Sequence, residues 1–336
     1  MSNREYYLDN LKVFLTVLVI FHHAGQAYGN GGDWAYTPSS PEEFLPWIWH
    51  FFAVNAGFFM GLFFLISGYF VPASYDRQGG NAFVKKKLLR LGIPLLFIGI
   101  ITSSITRTLE VAHMWFVESL LVFCLIYALI RKFHKPISGE CSSKPTVPGL
   151  LILGLVIGIG SCFIRKVSPQ DNWIMAPLKI EPAHYLQYVV LFVIGVLAGR
   201  FKWFEKMSNA TGAVSFFVGI ALAIGMFVMG DKGWSGFVWK WYGIYESLMC
   251  VFLCFGLIWL FRQAFCSTSS FLQWCAAHSY GAYVFHLLLM LGIQHATDGI
   301  WMGAFGKFVF VGISTTVVSY VLTWLVRMIP GMKSIL

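Results

Sequence analysis

Apolar residues along this chain run on without alternating. Stretches long enough to cross a bilayer, about 17 to 25 residues each, lie at 8–28, 47–72, 88–107, 112–131, 148–165, 184–201, 210–230, 241–261, 278–296 and 304–327. Continuous runs of this length predict membrane helices, and short alternating strands of the β-barrel kind are not seen. The expected fold class is all-α, a polytopic membrane protein with about ten transmembrane helices in one bundle. No internal repeat and no loop long enough for a soluble domain appears, so residues 1–336 read as one membrane domain. Only RKFHKPISGECSSKPTV, residues 131–147, reads as a flexible linker, because Pro, Gly and Ser come together there.

Composition agrees with the pattern. The 336 residues are 57% hydrophobic and 12% charged, with a mean hydropathy of +0.70. A soluble domain carries about a quarter charged residues, so this chain has too little polar surface to cover a globule. Aromatic residues make up 18%, with 13 Trp, which suits interfacial belts and packed helices. The net charge of +9 sits in short segments between apolar runs, which favours topology over nucleic-acid binding. With a cytoplasmic N-terminus, the inner segments hold Arg4, Lys12, Arg77, Lys85, Lys86, Lys87, Arg90, Arg131, Lys132, Lys135, Lys144, Arg200, Lys202, Lys206, Arg262, Arg327 and Lys333, 17 of the 24. Segment 30–46 has none, and both termini are then cytoplasmic.

A cleaved signal peptide is the competing reading of the first run, which ends in AGQA. Glu5 and Asp9 weaken its positive region, and nine further runs make it unnecessary for insertion. The seven cysteines show no CxxC pair and no zinc spacing. Cys124, Cys162, Cys250 and Cys254 lie in apolar runs and Cys141, Cys266 and Cys275 in loops. No disulfide and no metal is expected.

Ionisable residues inside membrane spans are costly and are functional candidates. In the first run, Lys12 and His23 are eleven residues apart, about 1100° of helical rotation, so they share a face roughly 16 Å apart along the axis. Asp9 falls within about 60° of both, whereas His22 points about 100° away from His23. Asp9, Lys12 and His23 therefore make a polar stripe; the alternative is a helix whose histidines bond to neighbouring helices. Glu118 and Glu246 also fall inside runs and either orient His23 or pair with buried polar groups. His113 and Trp115 stand at the outer start of the fourth run, where an interfacial anchor is the competing role. Ser67, beside Gly68, suits a helix crossing, and Asn55, Gln187 and Gln294 are candidate cavity-lining groups.

The interval Lys12-x10-His23 resembles the basic-x10-His signature of the membrane acyltransferase family called acyltransferase 3. FFLISGYF (63–70), FVKKKLLRLGIP (83–94), HMWFVESLLVF (113–123) and SYGAYVFH (279–286) resemble further segments of that family, in order. The sequence departs from the pattern in having Lys12 where arginine is usual and lysines before the third run. Lysine keeps the charge but loses bidentate geometry.

The resemblance implies transfer of a short acyl group, acetyl favoured over succinyl, from an acyl-CoA donor to a hydroxyl of a carbohydrate or lipid-linked glycan. It implies Lys12, Lys87, Arg90 and Ser67 at the donor, where clustered cations meet coenzyme A phosphates. His23 is the expected general base, supported by Glu118 and Asp9, and an acyl-imidazole intermediate stays open. His113, Trp115, Glu246, Tyr283 and His286 are expected substrate contacts. No metal and no nucleic acid is expected, and the place is the bacterial inner (plasma) membrane. The alternative is a proton-coupled secondary transporter using His23, Glu118 and Glu246, against which no paired broken spans appear.

Overall fold

The computed structural model describes residues 5–29, 34–39, 44–107, 111–136, 144–175, 178–229 and 240–336. The middle of the expected linker, Cys141 and Arg4 lie outside the described residues. Among the described residues twelve α-helices follow in order: α1 (Tyr6–Gln26), α2 (Ile48–Gln78), α3 (Gly80–Lys87), α4 (Ile93–Thr106), α5 (Trp115–Phe133), α6 (Val147–Val167), α7 (Pro182–Phe201), the one-turn α8 (Trp203–Lys206), α9 (Asn209–Met229), α10 (Tyr242–Ala264), α11 (Ser270–Ala296) and α12 (Gly303–Met328). Among the described residues, nine helical spans are long and apolar enough to cross a membrane, α3 and α4 counting as one. α1 is more polar, carrying Asp9, Asn10, Lys12, His22 and His23. It is tolerated because it packs against α2, α10, α11 and α12, where polar groups find partners instead of lipid.

Three boundaries differ from expectation. α2 continues six residues past the expected end at Val71–Pro72, through Pro72 to Gln78. The third span begins at Gly80, so Lys85, Lys86 and Lys87 are helical, and it passes through one π-helical segment at Leu88–Gly92. Such a turn releases a backbone carbonyl, and the carbonyl of Arg90 accepts a hydrogen bond from Tyr280 Oη at 2.7 Å. α11 starts at Ser270, well before 278, so Cys275 is a buried helical residue and lies in no loop.

The closest packing joins α2 and α7. Gly195 and Gly199 form a GxxxG pattern, which lets helix backbones approach inside a membrane. A Cβ on Gly195 would sit 2.2 Å from the Leu65 carbonyl oxygen, and one on Gly199 2.0 Å from that of Tyr69. Gly68 is equally tight, its Cβ position 2.3 Å from Phe192 O. The crossing residue is thus Gly68, and its neighbour Ser67 turns toward a cavity.

At the end of the bundle where lysines and arginines collect, Tyr69 Oη lies 2.7 Å from Glu5 Oε1 and 2.9 Å from Glu205 Oε1. A phenol has one proton to give, so one carboxyl is protonated and donates back. Burial, reinforced by the charge of Glu205 against the hydrogen bond from Tyr69, raises Glu5 from its ordinary value to about 7. A raised carboxyl contributes stability below its unfolded value, and that stability is lost as pH rises through about 7.

Two outcomes follow for the purified protein in detergent. Gly195→Val costs about 1–3 kcal/mol by overpacking and lowers the unfolding midpoint, whereas Gly292→Ala, with nothing within 4 Å of its Cβ position, does not. Equal midpoints for the two variants would contradict the crossing. Glu5→Gln flattens the decline of the wild-type midpoint between pH 5 and 8, and an unchanged decline places the titration elsewhere.

Candidate active site

Two cavities lie along the inner face of α1, one at each end. The first, about 400 Å³, is at the cationic end. It brings together all four residues expected at the donor, Lys12, Ser67, Lys87 and Arg90, and adds Ser74, Arg77 and Lys86. Lys12 Nζ pairs with Asp9 Oδ1 at 2.9 Å and stands 4.7 Å over the Phe70 ring. Arg90 stacks over Tyr280, 5.7 Å from its centroid. Five cations line this cavity with no carboxylate among its lining residues, and with Lys12 answered by Asp9 the cavity keeps an excess of positive charge.

The second cavity, about 640 Å³, opens at the opposite end. His22, His23, His113 and Tyr283 form one side. Trp34, Trp49, Trp115 and Trp173 supply aromatic walls, and Asp171, Glu181 and His184 a polar one. No lysine or arginine is among its lining residues. Trp115 stacks on Tyr188 (5.5 Å, 29°) and meets Trp173 edge-on at 5.7 Å. Trp34 covers His23, with centroids 5.9 Å apart, and is held there because its indole N–H donates to Gln294 Oε1 at 2.8 Å. The same short segment is pinned through Tyr36 and Ser39 to Asp298.

Carbonyl partners settle the histidine tautomers, since a carbonyl only accepts. His23 Nδ1 is 2.9 Å from Val19 O and carries hydrogen. His286 Nδ1 is 2.6 Å from Tyr283 O and does too. His286 Nε2 is therefore a lone pair, 3.2 Å from His23 Nδ1, and shares with Val19 O the one proton that nitrogen carries. What remains on His23 is an Nε2 lone pair on a ring that lines the cavity. His22 turns to α2, between the rings of Phe52 and Phe59 at 5.0 Å each. Its ring also lines the cavity, so counting turns separated the partners of the two histidines but not their exposure to this space.

The remaining candidates divide. His113 donates from Nε2 to Val284 O at 3.1 Å, and Tyr283 Oη donates to His113 O; both line the cavity with Trp115. His286 is fully buried behind His23 and is no lining residue. Among the described residues, no carboxylate holds His23. Glu118 accepts instead from the Lys179 backbone N–H at 2.9 Å, and Asp9 stays with Lys12 about three turns away. Glu246, buried, accepts from Arg165 and from His184 Nε2 at 3.0 Å. His184 Nδ1 is 2.7 Å from Glu181 Oε2, so both its nitrogens donate and the ring is cationic. The pairing with buried polar groups, one of the two roles open to Glu118 and Glu246, is the one the geometry shows.

A sequence profile of the acyltransferase domain matches residues 5–324. The chain belongs to the acyltransferase 3 family. Curated relatives of this acyltransferase include the glucans biosynthesis proteins C of Escherichia coli O1:K1 / APEC, strain SMS-3-5 / SECEC and strain E24377A / ETEC. Each is 24% identical over 339 residues, which cover 90% of this chain and 84% of the relative. No solved structure matches the acyltransferase.

Sequence reasoning missed His184 and Glu181, although Glu181-Pro-Ala-His184 puts an acid and a histidine one turn apart at a helix start. In the sequence Arg77 and Lys86 count only toward topology, and nothing singles out Trp34, Trp49 or Trp173 among the 13 Trp. Glu246→Gln leaves His184 to Glu181 alone and Arg165 without its carboxylate, one uncompensated buried charge, and costs about 3–5 kcal/mol. Denaturant unfolding in detergent measures this; a loss below about 1 kcal/mol, the scale of a surface pair, would show that the network carries little.

Proposed function

We propose that this acyltransferase moves a short acyl group, acetyl in the simplest case, from acyl-CoA to a hydroxyl of an uncharged glycan, with His23 as general base. The observation that carries the proposal is the position of His23 in the wall of an aromatic cavity, with a cationic cavity behind a thin partition at the other end of α1. Lys12, Arg77, Lys86, Lys87 and Arg90 suit the phosphates of coenzyme A. Tryptophan faces with hydroxyl-bonding carboxylates, no lysine or arginine, and a His184 charge already held by Glu181 and Glu246 suit a neutral sugar better than an anionic acceptor. The name of the relatives, glucans biosynthesis protein C, favours a glucan or a lipid-linked glycan.

The chemistry balances without a metal. His23 Nε2 takes the proton of the acceptor hydroxyl while its oxygen attacks the thioester carbonyl. The tetrahedral intermediate collapses with cleavage of the C–S bond, and the thiolate takes the proton back from His23. His286 is a positioning residue: its Nε2 holds the Nδ1–H of His23, and thus keeps Nε2 basic and facing the cavity. The two cavities share no lining residue. Leu120 faces the donor side and His113 and Trp115 the other, and Phe116 lies between, with Phe63 at 5.6 Å and Tyr283 at 6.0 Å. From Ile66 to Met60 on α2, the partition is about 9 Å thick. A pantetheine arm has to part this ring layer to bring its thioester to His23.

In a bacterial inner membrane with the cationic end in the cytoplasm, the donor arrives from the cytoplasm and the acceptor from outside. A proton-coupled transporter is disfavoured because Glu118 and Glu246 hold polar partners of their own and neither bonds His23. The test is transfer of labelled acetyl from acetyl-CoA to glucan oligosaccharides by the purified protein. His23→Ala lowers kcat by about 10²–10⁴-fold, the span of general-base catalysis, while His22→Ala stays within a few-fold of wild type. Arg77→Gln and Lys12→Ala raise the donor KM with little change in kcat, as losses of a charge-assisted contact do. Full activity in His23→Ala would overturn the base assignment, and an unchanged donor KM in both cation variants the donor site.

A further inference from the structure

Helices α5 and α7 meet through side-chain rings such as Phe123 and Phe192, and the gap between them is an apolar groove of about 600 Å³. The groove opens sideways, out of the bundle: Ile126, Ile130 and Val193 on its walls are each about half exposed. Its floor is the ring pair Phe123–Phe192, centroids 5.2 Å apart. At the cationic end the groove stops at a rim of Arg131, Arg200 and Lys135. One carboxylate answers them: Asp76 lies 3.0 Å from Arg131 Nη2 and 2.7 Å from Arg200 Nη1. The rim therefore keeps a net positive charge, and Nε of Arg131 is buried with no hydrogen-bond partner.

We propose that this groove binds an anionic phospholipid, one acyl chain lying along the Phe123–Phe192 floor and the headgroup phosphate on the Arg131–Arg200–Lys135 rim. Apolar contact alone does not select among lipids, because a lipid tail is as apolar as the groove. Selection comes from the rim, since basic pockets between membrane helices at the cytoplasmic face hold anionic headgroups. None of the residues lining the groove lines the proposed coenzyme A cavity, so the site stands apart from the acyl-transfer reading. A free phosphate satisfies the rim but leaves the groove empty, which separates it from a lipid in the test.

Native mass spectrometry of the full chain in neutral detergent, offered equal amounts of phosphatidylglycerol and phosphatidylcholine with identical chains, reads the selection directly. Wild type is expected to retain phosphatidylglycerol in preference, and Lys135→Gln with Arg200→Gln to lose about fivefold of that preference for each cation removed. Val193→Trp fills the groove without altering charge and is expected to lower retention of phosphatidylglycerol while its unfolding midpoint stays at the wild-type value. Inorganic phosphate is expected not to displace the lipid. Equal retention of the two lipids by wild type, the same preference in the double variant, or displacement by inorganic phosphate would each overturn the proposal.

Discussion

A histidine inside a membrane bundle keeps its place only where its ring nitrogens have partners, and α1 offers His23 very few. The Nδ1–H finds Val19 O one turn back and His286 Nε2 across the helix interface. That second bond ties α1 to α11 at the level where the outer cavity begins, and His286 is in turn oriented by the carbonyl of Tyr283. Tyr283 reaches the turn that leads into α5 through His113 O. Three helices are thereby registered by one chain of hydrogen bonds, and Nε2 of His23 is the nitrogen left over. A carboxylate in place of His286 would add a charge to this buried layer, and desolvating it would cost several kcal/mol. A neutral imidazole orients the base without that cost.

The two cavities extend the same economy of charge. Cations gather where α2, α3 and the π-helical segment meet, at the depth of Lys12, and the carboxylates that line a cavity are at the opposite end with the tryptophans. Between them the bundle is aromatic, centred on Phe116 packed against Phe64 at 4.7 Å and Tyr283 at 6.0 Å. In the proposed reaction an anionic donor and a polyhydroxylated acceptor approach His23 from different sides, and neither has to cross the apolar layer whole. The close backbone crossing of α2 with α7 through Gly68, Gly195 and Gly199 gives α2 a firm seat, and α2 lines both cavities.

Much of the arrangement was legible along the chain, for identifiable reasons. Counting turns on one helix put Lys12 and His23 on one face, and the structure places them in the two cavities that this face connects. The membrane class followed from run length and low charge, and the family from short segments whose order could be read directly. What could not be read were relations between helices. Nothing local to His286 says that it stands behind His23, and the expected carboxylate support from Glu118 fails because the Lys179 backbone reaches that side chain first. His184 and Glu246 are far apart in sequence and meet only in the folded bundle. The run of lysines before the third span looked like a loop because the local pattern has no sign of the helix beginning at Gly80 or of the π-helical segment that Tyr280 completes.

In the proposed reaction donor and acceptor reach His23 from opposite faces of the membrane. Proteoliposomes of uniform protein orientation, with labelled acetyl-CoA confined to the side of the cationic cavity and a glucan oligosaccharide to the other, test it most directly. The account predicts labelled, acetylated glucan on the acceptor side, and none when the two compartments are exchanged. Product formed only when both substrates share one compartment would contradict it.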